Sequence, residues 1–228
     1  MTQILFFGSS SVHGVGDPQG GWVDRFKRQR HNEMYGEKKN SNDEIFNLGV
    51  PGDTSAQLLN RISYELPARQ RESQPMVVVI SAGGNDSRAA DSPTNFISSP
   101  DEFMANLENI VEIVRSYTPF ILFVGLTPVD DTRTRPMPDG SYFSQARIQK
   151  FDEAMGDVAD SHHLPRVELY ASMLALDWRA MLYEDGLHLN EVGHNWLFER
   201  IRQPLANAVY TAEHGRPKET LGSRDFLA

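Results

Sequence analysis

Few folds can house Met76-Val77-Val78-Val79-Ile80. Five consecutive apolar residues, three of them valine, read as a strand buried on both faces. Such strands lie inside parallel sheets covered by helices. The run stops at Ser81-Ala82-Gly83-Gly84-Asn85-Asp86. A second run, Ile4-Leu5-Phe6-Phe7, stops as abruptly at Gly8-Ser9-Ser10-Ser11 and predicts a parallel strand that opens into a tight loop of small residues.

Helical patterns separate the strands. Glu44 to Leu48 reads as a second strand, Phe120 to Val124 as a fourth and Arg166 to Leu169 as a weaker fifth. Trp22 to Phe26 begins the first helical pattern, and His31 to Asp43 reads as its exposed end plus a loop. Thr54 and Gln57 have capping-box spacing ahead of the stripe Leu58, Ile62 and Leu66, with Pro67 as the expected end. Ser99-Pro100-Asp101-Glu102 starts a helix whose buried face is Phe103, Leu107, Ile110, Val111 and Val114. Ile148, Phe151, Met155 and Val158 mark the next one. Tyr170 to Glu184 reads as a short helix and loop. Asn190 caps a last helix that Pro204 should kink or interrupt.

Five alternations predict an α/β fold: a three-layer α/β/α sandwich around a flavodoxin-like, five-stranded parallel sheet of order 2-1-3-4-5. That order opens a crevice between the first and third strands, with Ser10 on one side and Gly84-Asn85 on the other. Residues 1–228 read as a single domain with a polar, fraying tail from about residue 213, without repeats or linkers.

Composition narrows the partners. The formal net charge is -9, from 22 basic and 31 acidic side chains, which opposes binding to nucleic acid or to an anionic membrane surface. No cysteine is present, so disulfides, thiolate–metal sites and a cysteine nucleophile are excluded. No apolar run approaches the ~20 residues that span a bilayer, and no signal peptide is visible. A cytoplasmic protein without stable membrane insertion is expected, acting on a small molecule.

The chemistry follows from residue types at the strand ends. A serine hydroxyl needs a base within hydrogen-bond reach, and histidine, held in one tautomer by a carboxylate, is the usual one. Asp185-Gly186-Leu187-His188 supplies both at a spacing one turn of chain can close. Ser10 is therefore the candidate nucleophile, His188 the base and Asp185 its orienter. The developing oxyanion needs donors: the Ser10 N–H, the Gly52 N–H after the second strand and the Asn85 side-chain amide after the third. Taken singly, each is ordinary turn or cap chemistry; taken together, they make one site.

Four segments in order resemble the blocks of the SGNH hydrolase superfamily, the GDSL-like lipases and esterases. Gly8-Ser9-Ser10 resembles the Gly-Asp-Ser nucleophile block, and Asn47 to Thr54 the glycine block. Gly83-Gly84-Asn85-Asp86 resembles Gly-x-Asn-Asp, and Asp185 to Asn190 resembles Asp-x-x-His with the following helix cap. The resemblance implies the roles above for Ser10, Gly52, Asn85, Asp185 and His188. It also implies the α/β/α sandwich and hydrolysis of esters or thioesters, as by esterases, lysophospholipases, thioesterases or carbohydrate O-deacetylases, without metal or cofactor. Ser9 departs from the pattern, standing where the family has aspartate, so the loop should be held differently.

The remaining candidates read as structural. His13 is assigned to the loop or pocket rim. His194 and His162-His163 read as structural or solvated, and Trp196 as core. Asp185, His188 and His194 lack the spacing of a metal-ligand motif. The loops Ser87–Ser98 and Val129–Tyr142 are expected to wall the pocket, and Arg133 and Arg135 to meet an anionic group. The rival from another class is a non-catalytic flavodoxin-like module whose glycine–serine loop cradles a phosphate or nucleotide.

Overall fold

The computed structural model describes residues 1–37 and 43–215. Five strands, β1 (Gln3–Gly8), β2 (Glu44–Gly49), β3 (Met76–Ser81), β4 (Ile121–Val124) and β5 (Arg166–Val167), form one all-parallel sheet of order β2-β1-β3-β4-β5. The predicted order is the observed one. In the registers, Gly8 lies level with both Gly49 and Ser81. The first three strands thus end at one height, and the loops that follow them share one rim.

Alternation along the strands sorts the core into two layers. Leu5, Phe7, Val78, Ile80, Ile121 and Phe123 point to one face, covered by α3 (Ser55–Arg69), α4 (Pro100–Arg115) and α5 (Gln145–Ser161). Ile4, Phe6, Val77, Val79, Leu122 and Val124 point to the other, covered by α2 (Gly21–Tyr35) and α7 (Glu191–His214). Two short helices, α1 (Ser10–His13) and α6 (Tyr170–Leu174), and a 3-10 turn at Trp178–Met181 complete the chain. All three expected caps form, Asn190 through its side-chain oxygen on the Val192 and Gly193 N–H groups. Thr54 with Gln57 and Ser99 with Glu102 each exchange side-chain and backbone bonds.

Four expectations need correction. The small-residue stretch after β1 is no open loop: Ser10–His13 winds one helical turn, closed by the Gly14 N–H on the Ser10 carbonyl and by Gly14 at φ 100°. Pro67 does not end its helix, which runs on to Arg69. Pro67 and Ser63, whose carbonyl loses its partner, are both exposed, so water replaces the bond while Leu58, Ile62 and Leu66 hold the helix to the core. Pro204 likewise leaves α7 uninterrupted, anchored by Leu197, Ile201, Leu205 and Val209. Glu213 does not fray: it lies in α7 and accepts a hydrogen bond from Thr2 Oγ1 at 2.7 Å. The tail beyond Gly215, and residues 38–42 of the predicted loop, fall outside the described residues.

His194 welds α7 to the chain between α1 and α2. It is fully buried. Its Nε2–H donates to the Val15 carbonyl at 3.0 Å, and its Nδ1 accepts from the Trp22 N–H at 3.3 Å. Burial holds its pKa below the ordinary 6.5, more strongly than the Val15 bond and Asp17 pull it up. A second ring proton would face the Trp22 N–H, donor against donor. The unfolded chain takes up that proton more readily, so stability is complete above pH 6.5 and falls as pH drops from there toward the lower folded value. Thermal unfolding followed by circular dichroism should show Tm declining from pH 7 to pH 5. His194→Gln should start lower and decline less, and an unchanged slope would contradict this account.

Candidate active site

The rim formed by the ends of β1, β2 and β3 carries the predicted residues. Ser10 opens α1, half-buried, and its N–H makes no hydrogen bond among the described residues. From 178 residues further along, the loop before α7 brings His188 against it: Nε2 lies 3.0 Å from the Ser10 Oγ. The opposite ring nitrogen, Nδ1, lies 2.6 Å from Asp185 Oδ2. The other Asp185 oxygen accepts the backbone N–H groups of Leu187 at 2.8 Å and His188 at 2.9 Å. The carboxylate therefore fixes the backbone that carries the ring as well as the ring. Burial alone would raise the Asp185 pKa, but the His188 ring bond and these two backbone donors outweigh it and hold the group below its ordinary 3.8.

The predicted donors occupy two situations. Asn85 lines the same cavity as Ser10 and His188. One of its amide hydrogens is spent on the Asp53 carbonyl at 2.9 Å, which leaves the second free. Gly52 stands outside that cavity, on the exposed loop after β2, at φ 89°. Its N–H makes no hydrogen bond among the described residues. The Asn85–Asp53 bond joins the two loops.

Two residues without an assigned role hold this rim together. Arg61, one face of α3, donates through Nη2 to the Gly8 carbonyl at 3.0 Å and the Leu48 carbonyl at 2.9 Å, and through Nε to Asp53 Oδ2 at 2.7 Å. One guanidinium thus ties the ends of β1 and β2 to the Gly52 loop. Asp86, almost fully buried, accepts the Ser55 N–H at 3.0 Å and the Ser55 hydroxyl at 2.5 Å. Burial raises its pKa against the pull of those bonds. It pins the start of α3 to the loop after β3. Arg61 has no sequence signature, and Asp86, although it closes the Gly-x-Asn-Asp block, gives no sign of its partner: Asp86 and Ser55 are 31 residues apart, and Arg61 and Gly8 are 53 apart.

Ser9, the departure from the family pattern, makes no side-chain hydrogen bond among the described residues. Its carbonyl accepts the His13 N–H at 3.0 Å, and Arg61 holds the preceding carbonyl. His13 is exposed at the end of α1, and Trp196 is half-buried with Arg200 over its ring.

The expected walls are only partly in place. Val129 lines the cavity, and the Asp130 N–H donates to the Gly186 carbonyl at 2.8 Å, bracing the loop that carries His188. No residue of Ser87–Ser98 lines it. That loop is occupied elsewhere, paired with Tyr142 through Ala89 and strapped by Arg147 to the Ser87 and Ser98 carbonyls. Arg133 and Arg135 also lie off the cavity, facing Asp130 and Asp131. Among the described residues, no helix is long and apolar enough to cross a membrane.

The GDSL-like Lipase/Acylhydrolase family model matches residues 6–196. The chain is 28% identical over 200 residues to the GDSL esterase/lipase CPRD49 of Arabidopsis thaliana, covering 84% of this chain and 73% of that protein. It is 25% identical to the esterase TesA of Pseudomonas aeruginosa, covering 81% and 78%. A lipase/acylhydrolase from Enterococcus faecalis has the same fold, with a TM-score of 0.69 at 27% identity over 90% of this chain and 95% of that one. A non-catalytic phosphate-binding module is thereby set aside: this chain belongs to the GDSL-like lipase/acylhydrolase family of SGNH hydrolases, a family of carboxylic ester hydrolases.

Proposed function

We propose that the protein is a serine esterase that cleaves carboxylic esters through an acyl-enzyme formed on Ser10. The observation that carries this reading is the unbroken hydrogen-bond line from the Ser10 hydroxyl through both His188 nitrogens to Asp185. Asp185 accepts a hydrogen bond from Nδ1–H and keeps the proton on that nitrogen, so Nε2 keeps its lone pair for the Ser10 O–H. Ser10 Oγ attacks the ester carbonyl carbon while its proton passes to Nε2. The carbonyl oxygen, now an oxyanion, is met by the N–H groups of Ser10 and Gly52 and the free Asn85 amide hydrogen. The tetrahedral adduct collapses, and the departing alcohol oxygen takes the proton from His188. Water, deprotonated by His188, then attacks the acyl-enzyme. Its collapse returns the proton to Ser10 and releases the carboxylic acid.

An organophosphonate with a p-nitrophenyl leaving group tests the reading. Intact-mass and peptide mass spectrometry should find one adduct per chain, on Ser10, with parallel loss of ester hydrolysis. Ser10→Ala should take up no label and hydrolyse no ester. Label on Ser9 or Ser11, or hydrolysis that persists in Ser10→Ala, would refute the proposal.

A further inference from the structure

Beside Ser10 and His188 lies a cavity of about 70 Å³. Part of its apolar wall is Ala82, Leu126, Val129, Phe143 and Ile148, all members of the core that packs α3, α4 and α5 onto the sheet; Leu187, Leu189 and Leu197 line it as well. The first five side chains are between 1% and 8% exposed. Leu126, Val129 and Phe143 belong to the connection between β4 and α5, but all five are buried in the core, and interiors packed at core density yield little to an extra methylene.

Size limits the guest. An apolar cavity of about 150 Å³ holds one benzene, which is six heavy atoms. On that scale the 70 Å³ here holds about three. The carbonyl group stays outside, at Ser10 and its donors, so the cavity is left to the carbons beyond it.

The guest is the acyl group and not the alcohol. The acyl chain stays bonded to Ser10 until water arrives, and a small cavity backed by packed core suits a group that stays. The alcohol must leave, and water must replace it beside His188, which a site walled by packed core would impede.

Resting on the serine-esterase reading, we infer that this enzyme is a short-chain acyl hydrolase. It takes acyl groups of about two to four carbons, and Val129, Phe143 and Ile148 set that limit. One methylene beyond a rigid pocket costs about tenfold or more in kcat/KM.

Two ester series test this. In the first, p-nitrophenyl acetate, butyrate, hexanoate and octanoate share one leaving group. In the second, ethyl, butyl and octyl acetate share one acyl group and are followed by pH-stat. The kcat/KM should fall at least about tenfold between butyrate and octanoate and vary by less than that across the acetates. Phe143→Ala should raise the octanoate-to-acetate ratio at least about tenfold. Should that variant not fold, as judged by circular dichroism, Val129→Ala carries the same expectation. Octanoate turned over as well as butyrate overturns the inference, as does a limit that follows the alcohol, or a ratio unmoved in the folded variants. Each of those leaves the esterase reading standing. Failure to hydrolyse any ester, with no phosphonate adduct on Ser10, removes both.

Discussion

Replacing His188 by alanine is expected to lower kcat by about a million-fold and to leave KM within a few-fold. Among the described residues, the imidazole is the one group within reach of the Ser10 hydroxyl that can take its proton, at 3.0 Å. Without it, Ser10 is an ordinary alcohol. The ring is only 20% exposed but sits at the rim rather than in either core layer, so its loss leaves the packing intact. Asp185→Asn is the informative companion. The backbone donors of Leu187 and His188 still find an oxygen there, but the amide stabilises the imidazolium poorly and permits the wrong tautomer. A loss of about 10,000-fold is expected. Initial rates on a short-chain p-nitrophenyl ester, with circular dichroism as the folding control, check both. Activity within tenfold of wild type in folded His188→Ala would end the case for the imidazole as base.

Asn85→Ala is the second large effect. Removing one preorganised donor to an oxyanion costs about 100- to 1000-fold in kcat. Because the bond forms only as charge develops, kcat and kcat/KM should fall together while KM holds. The same change also frees the Asp53 carbonyl, which is attached to the Gly52 loop. Asn85→Gln separates the two contributions: it keeps the amide chemistry but displaces it, so partial recovery points to the donor's presence and none to its position. A rise in KM at constant kcat in Asn85→Ala would show instead that Asn85 binds the ground state.

The outline of this molecule was legible because burial writes itself into sequence. Runs such as Met76–Ile80 and Ile4–Phe7 have no polar break, and a parallel sheet is where such runs belong. Ser10, Asn85, Asp185 and His188 were legible because each follows or precedes a recognisable element end. Arg61 was not, and Asp86 was visible only as the last residue of the Gly-x-Asn-Asp block, without its role. Gly8 lies 53 residues from Arg61 and Ser55 31 from Asp86, and the importance of both pairs arises only when strands β1, β2 and β3 end at one height. Pro67 and Pro204 misled for a related reason: local propensity argued for breaks, but the buried stripes of the two helices overrode it. The loop Ser87–Ser98 looked like a wall because it follows Asn85, yet its pairing with Tyr142 takes it away from the cavity.

The three positions that open the nucleophile loop are under unequal demands. A side chain at Gly8 would drive into the Ser81 carbonyl and a Val12 methyl, so that position is closed to everything larger. Position 10 is tied to the imidazole, whereas the Ser9 side chain has no hydrogen bond to lose among the described residues. The middle letter of the family's namesake string is therefore free to drift here while the backbone around it stays put. Relatives of this kind will escape any search spelled on the literal Gly-Asp-Ser.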